Sequence, residues 1–482
     1  MSNKHKKINR ILFAASRSGS GKTMFTCGFL NLLKKKGVDV TSYKCGPDYI
    51  DPMFHKKVLG IYGGNLDTFF CSHEKVAAIL GGCEHEYAVI EGVMGIYDGI
   101  GGLSVTASGY DVATATKTPI LLIIDAYGTG RTIISQIKGI LADDGKKLIK
   151  GIILNKTSEG FYIRLKTAIN DELSSCGYEA RVLGYLPKLK DVSVDSRHLG
   201  LIRPDEIADI KEKIDTISDA IEKYCDVDEI LKIMKNAETI DSESAYTAES
   251  SSDLSNEADS VNQTNECQPL VTMAVAMDEA FCFYYKENLE LLKRLGVKIV
   301  PFSPIHDEKL PEEIDGLYIG GGYPELYLKE LSENESMLRE IRNASERGLP
   351  ILAECGGFLY LHQELETKDH KSYCLSGVIP GRAFPTERLL RFGYIEAFAR
   401  EDIPFLKKGE SIRGHEFHYW DSTNNGAGME AIKPGGKKSW NCVHGEGNLL
   451  AGFPHFYYPS NPVLPERFVE ACKGFKETEE RT

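Results

Sequence analysis

Residues 10–23 read RILFAASRSGSGKT, and the next twelve, MFTCGFLNLLKK, continue with apolar residues at helical spacing. A short apolar run, a Gly/Ser-rich loop and an amphipathic helix thus follow one another in the order of a strand–loop–helix phosphate site. The loop fits GxxxxGK[ST] except at its first position, Ser16, where the pattern has glycine. In such a loop the backbone N–H groups of Ser18, Gly19, Ser20 and Gly21 cradle phosphate oxygens at a helix N-terminus. Lys22 neutralises the outer phosphates and Thr23 can hold Mg²⁺. The alternative is a Gly/Ser turn that only caps a helix; the order of the three parts favours ATP.

Working outward, the runs DVTSYK (39–44), YAVIEG (87–92), PILLIIDA (119–126) and GIILNK (151–156) repeat the strand signal between helix-like stretches. A second series, VTMAVAM (271–277), KIVPFS (298–303), GLYIGGG (316–322) and PILAE (350–354), does the same later in the chain. Near-continuous apolar runs suit parallel strands covered on both faces, so each half is expected to be α/β, a mainly parallel sheet flanked by helices. Between the halves, residues 238–266 hold eight acidic residues, no Lys or Arg and few large apolar ones. That composition cannot bury enough surface to offset the entropy of ordering. The expected organisation is a domain over 1–237, an acidic flexible linker over 238–267 and a second domain over 268–482, a comfortable division of 482 residues.

Composition excludes several classes. Net charge is −13, and −5 outside the acidic segment, with no basic stripe for nucleic acid. No stretch approaches the roughly 20 apolar residues of a membrane span, and the N-terminal run is too short for a secretory signal. A cytoplasmic location is expected. Twelve cysteines include no CxxC pair, so zinc and dithiol readings have no support.

Active residues of open α/β sheets lie at the carboxyl ends of strands. Glu91 ends the run AVI, where a desolvated carboxylate needs a cation, and Asp98 follows seven residues later. KCGPDYIDPMFH (44–55) places Lys44, Asp48, Tyr49, Asp51 and His55 around a Gly-Pro turn, a set suited to Mg²⁺ and an anionic substrate. Asn155 at the end of ILN either reads adenine or caps its strand.

In the second half, GLPILAECGGFLYL (348–361) ends an apolar run on Cys355 with two glycines after it. This has the form of a nucleophile elbow, whose sharp turn exposes the side chain and whose following helix N-terminus favours a thiolate. A packed core cysteine is the alternative, but two glycines at a helix start are costly without a geometric purpose. A thiolate acting on an amide needs an oxyanion site and a base. Backbone donors at Gly321 and Gly322 offer the first; His455, His415 and His418 are candidates for the second.

KCGPDYIDPMFH, NLDTFF (65–70), IEGVMGIYDG (90–99), VLGYLP (182–187) and SRHLGL (196–201) resemble the amidoligase half of the cobyrinic acid a,c-diamide synthases, a dethiobiotin-synthetase-like P-loop domain. MAVAMDEAFCFYYKENLELL (273–292), AECGG (353–357) and the histidine before SNP (460–462) resemble their class I glutamine amidotransferase half. The resemblance implies Cys355 as nucleophile, His455 as its partner, glutamine as nitrogen donor and a corrinoid polycarboxylate as substrate. Lys44 and Arg197 would meet its anionic groups, and Thr23, Glu91 and Asp48 the Mg²⁺. Asp48, Tyr49, Asp51 and Asp98 would share in substrate or acyl-phosphate handling. The implied reaction is ATP-dependent amidation of the a and c carboxylates of cobyrinic or hydrogenobyrinic acid. A homodimer is an assembly open to it. Many amidotransferases carry Glu two residues after the histidine; here Tyr457 stands there, which implies a Cys–His dyad. Nickel-sirohydrochlorin a,c-diamide synthase is the nearest alternative. A partitioning-type ATPase switch with a glutamine-sensing module is the alternative from another class.

Overall fold

The structure, a computed structural model, describes residues 5–189, 206–241 and 269–479. The chain forms two compact units, Met1–Thr247 and Ala248–Thr482. Residues 242–267 of the expected linker lie outside the described residues. Its first four residues belong to the first unit: Ile240–Asp241 pairs antiparallel with His5–Lys6, Ile240 is buried, and buried Arg10 donates to the Glu238 carbonyl at 2.7 Å.

The first unit is built on strands β1 (Asn9–Ala15), β2 (Val40–Cys45), β3 (Gly63–Leu66), β4 (Tyr87–Glu91), β5 (Ile120–Asp125), β6 (Ile149–Asn155) and β7 (Arg181–Leu186). They form one parallel sheet in the order β3-β2-β4-β1-β5-β6-β7. Residues 10–15 are all buried, as an apolar strand covered on both faces must be. Helix α1 (Lys22–Lys35) starts from the loop after β1 and lays Phe25 and Phe29 against Phe13, with ring centroids 5.1 and 5.3 Å apart. Each fully buried Phe contributes about 1.5–3 kcal/mol. Helix α2 (Glu206–Tyr224) supplies Asp215 and Ser218, which accept from Asn31 of α1 at 2.8 and 2.9 Å. Register sets Lys44 beside Glu91 and Glu91 beside Phe13, so the chemistry gathers at one end of three adjacent strands.

The second unit contains β8 (Val271–Ala276), β9 (Phe281–Phe283), β10 (Val297–Phe302), β11 (Gly316–Ile319), β12 (Gly321–Gly322), β13 (Ile351–Glu354), β14 (Arg391–Ala399), β15 (Ser411–His418), β16 (His444–Glu446), β17 (Leu449–Gly452) and β18 (His455–Phe456). Strands β10-β8-β11-β13-β17 are parallel, and β16 closes the sheet antiparallel to β17. The sequence reading did not foresee a further antiparallel sheet, in which β14, β15 and β18 are neighbours. Along β14 inward and outward residues partly alternate, as in a sheet with one wetted face. This sheet carries His455.

Candidate functional site

In the first unit the β1–α1 loop opens on a cavity of about 680 Å³ lined by Ser18, Gly19, Gly21, Lys22 and Thr23. Gly21 caps α1 at φ 96°, a left-handed conformation that frees the first helical N–H groups for an anion. Thr23 Oγ1 donates to Glu91 Oε1 at 2.6 Å. Lys44 Nζ lies 2.5 Å from Asp51 Oδ2, 2.9 Å from Glu91 Oε1 and 4.0 Å from Asp48 Oδ2. These four side chains also line the cavity. Lys44 is therefore a buried cation held among carboxylates.

Burial and the charge of Lys44 bring Lys22 down to about 8, and its ammonium bonds the Met94 carbonyl. Burial pushes Glu91 up to about 7 although Lys44 opposes it. Burial and the neighbouring Asp51 likewise raise Asp48 to about 6. For Asp51 burial is outweighed by Lys44, and its carboxyl stays below the usual range. Among the described residues no three His, Cys, Asp or Glu side chains converge as a metal cage. A P-loop Mg²⁺ needs none, because it takes one or two protein oxygens together with phosphates. Glu91 Oε2 is buried without a hydrogen-bond partner while its Oε1 accepts from Thr23, and a hard cation would satisfy the free oxygen.

Other expected residues are placed differently. Asn155 lines the cavity but its amide donates to the Ser20 carbonyl at 2.8 Å, while its Oδ1 accepts from Lys156 N–H. The geometry makes it a strap on the phosphate loop. Asp98 accepts from Gly95 N–H at 2.9 Å and closes a turn outside the cavity lining; buried Tyr49 also lies outside it. His55 is buried, bonded to Ser42 Oγ at 3.0 Å and held down to about 4 by burial. Arg197 lies outside the described residues. Lys156, which lines the cavity and meets Asp125 at 2.9 Å, was missed. Asp125 ending the run PILLIIDA was the available signal.

In the second unit β13 runs straight into Cys355, at φ 48° and ψ −100°, before the one-turn helix α3 (Gly356–Tyr360). A non-glycine residue held there stores about 1–3 kcal/mol of strain, as a nucleophile elbow does. A Cβ on Gly356 would stand 3.0 Å from Gly322 N, and one on Gly321 only 2.3 Å from His455 Cε1. The Gly321–Gly322 loop thus lies against both the residue after the nucleophile and the histidine. Gly322, at φ 155°, has the Ala280 carbonyl where a side chain would be, so only glycine fits. Tyr457 is buried, edge-on to Tyr285 at 5.1 Å.

Desolvation works against the expected thiolate. Burial, then the nearby Glu325 and Glu416, pushes the Cys355 thiol well above its usual range, and the Gly356 N–H only partly compensates. Burial also holds His455 far below the usual imidazole value. For Cys355, desolvation thus opposes what the N-terminus of a one-turn helix would favour. Two acids near the nucleophile escaped the sequence reading, although Glu354 stands in the quoted AECGG. Burial raises Glu354 to about 8, where it accepts from Tyr318 Oη at 3.1 Å, Phe456 N–H at 3.3 Å and Tyr458 Oη at 3.3 Å. Burial likewise raises Glu325 to about 7.

Comparison with known proteins extends over both units. A family model described as the CobQ/CobB/MinD/ParA nucleotide binding domain matches residues 11–202, and one described as the CobB/CobQ-like glutamine amidotransferase domain matches residues 272–463. A cobyrinate a,c-diamide synthase of Clostridium tetani is 39% identical over 470 residues, covering 96% of this chain and 100% of that protein. Proteins of the same name from Caldanaerobacter subterraneus subsp. tengcongensis and Listeria innocua are each 37% identical, covering 96% and 97% of this chain and 98% and 100% of theirs.

Proposed function

The chain belongs to the cobyrinate a,c-diamide synthase family, a glutamine-dependent carbon–nitrogen ligase of cobalamin biosynthesis, and from that premise we propose how its residues divide the work. The first unit activates a carboxylate. An oxygen of the a or c carboxylate of the corrinoid attacks the γ-phosphorus of ATP, the bond to ADP breaks, and an acyl phosphate results. Lys22 and the N–H groups of the loop neutralise the moving charge, and Asp48, Asp51 and Lys44 form the wall that the acid meets. Thr23 and Glu91 would hold Mg²⁺, which when bound screens the phosphate oxygens from one another.

The second unit supplies nitrogen. Cys355 Sγ attacks the side-chain amide carbon of glutamine as its proton passes to His455, and Gly321 and Gly322 donate to the developing oxyanion. Collapse returns that proton to the leaving nitrogen and frees ammonia, and water cleaves the glutamyl thioester to glutamate. Ammonia attacks the acyl phosphate, loses a proton and expels phosphate. Two rounds give the diamide. ATP and glutamine as substrates support a cytoplasmic setting, and among the described residues no helix is long and apolar enough to cross a membrane.

The observation that carries this reading is that full-length relatives match both units at once, the phosphate loop and the cysteine elbow together. A partitioning switch would need only the first. The test is a panel of cobyrinic acid, hydrogenobyrinic acid and nickel-sirohydrochlorin, each with ATP and glutamine, read by product mass. Two amides on a corrin acid are expected, and two on the nickel substrate alone would overturn the assignment.

The raised Glu91 has a consequence for metal binding. A metal ligand must be ionised, so affinity for the Mg²⁺–nucleotide complex falls as pH drops through about 7. Titration of Mg²⁺–ADP should give a Kd about tenfold weaker at pH 6 than at pH 8, with proton release on binding. Glu91→Gln should weaken binding and flatten that dependence; an equally steep dependence in the variant would remove Glu91 from the metal.

A further inference from the structure

The segment RGHEFHYW (413–420) has no part in the chemistry above, yet its first six residues lie in β15, the neighbour of the strand that carries His455. His415 and His455 are direct partners across β15 and β18. Their rings stack with centroids 5.1 Å apart and planes 17° from parallel. Both are buried, His415 to 7% exposure and His455 to 2%. On the far side, His415 Nδ1 lies 3.1 Å from the hydroxyl of Tyr285, a residue 1% exposed.

We infer that His415 is the positioning residue of the glutamine-hydrolysing pair, holding the plane of the His455 ring by stacking against it. The inference rests on the reading of Cys355 and His455 as that pair. His455 is confined on one edge by Gly321, 2.3 Å from where a Cβ would sit, and on a face by His415. Two residues after His455 stands Tyr457 where a carboxylate would otherwise orient the base. Two neighbouring acids have partners of their own. Glu416, on the opposite face of β15 from His415, meets His418 Nε2 and Trp440 Nε1 at 2.9 Å each. Glu354 holds the two tyrosine hydroxyls and the Phe456 N–H. Burial, with Lys433, keeps His415 neutral, down to about 3.

Steady-state kinetics of the full-length enzyme test this. His415→Ala is expected to lower kcat with glutamine about 30-fold, a fraction of the roughly 10²–10⁴ that a positioned base supplies. KM for glutamine should change less than about threefold and ammonia-dependent turnover less than about twofold, since binding and the other unit are untouched. His415→Phe, which restores a stacking ring without the bond to Tyr285, should recover about tenfold of the loss. If His415→Ala does not fold, His415→Asn takes its place with the same thresholds. A small-residue variant within about twofold of the parent kcat overturns the inference, as does His415→Phe no faster than that variant. Retention of glutamine turnover by His455→Ala would instead overturn the pair itself.

Discussion

Replacing Cys355 by serine is expected to lower glutamine-dependent amidation by about 10³-fold or more while ammonium-dependent amidation stays within about twofold. The size follows from the resting state. Burial raises the thiol and lowers His455, which favours a path in which the proton leaves the sulfur as the bond to the amide carbon forms. A thiol tolerates this because sulfur is soft and its anion is accessible; a buried hydroxyl is a far weaker acid and the same imidazole cannot remove its proton as readily. The substitution changes one atom at the end of β13, so the elbow and the acid-activating unit persist. Glutamate release and diamide formation, measured with each nitrogen source, check it. Loss of both activities, or survival of both, contradicts the assigned division of labour.

Lys22→Ala has the other large expected effect, and its pattern differs: amidation should fall about 10²–10³-fold with glutamine and with ammonium alike. Lys44 cannot take the place of the lost ammonium, because it is committed to Asp51 and Glu91 at 2.5 and 2.9 Å. Glutamine hydrolysis measured without the corrinoid should persist, since no residue of that chemistry lies in the first unit. Undiminished ammonium-dependent turnover would remove Lys22 from phosphoryl transfer.

The phosphate loop and the cysteine elbow were legible because each is local: a strand, a few glycines and a helix specify the backbone that the chemistry needs. The parallel strands were legible for a related reason, burial on both faces leaving uninterrupted apolar runs such as ILLII. The contents of KCGPDYIDPMFH were legible but not their pairing. Lys44 meets Glu91 only through the register of β2 against β4, forty-seven residues apart, and that register is a property of the sheet. The pairing of His415 with His455 escaped for the same reason, since it runs across an antiparallel sheet whose partial alternation is a weaker signal. Protonation escaped for another. The thiolate expected from a helix N-terminus is opposed by desolvation, which depends on what folds over Cys355.

The central claim is that one chain joins an acid activated by ATP to nitrogen released at a thiol. The most direct measurement follows that nitrogen. The full-length protein is given ATP, the corrin acid and glutamine labelled with ¹⁵N in its side-chain amide, with unlabelled ammonium present, and the product is weighed. The account predicts a diamide in which both new nitrogens are heavy, and, for Cys355→Ser under the same conditions, a diamide in which both are light. A native product with light amide nitrogens, or glutamate formed with no amide at all, would contradict it.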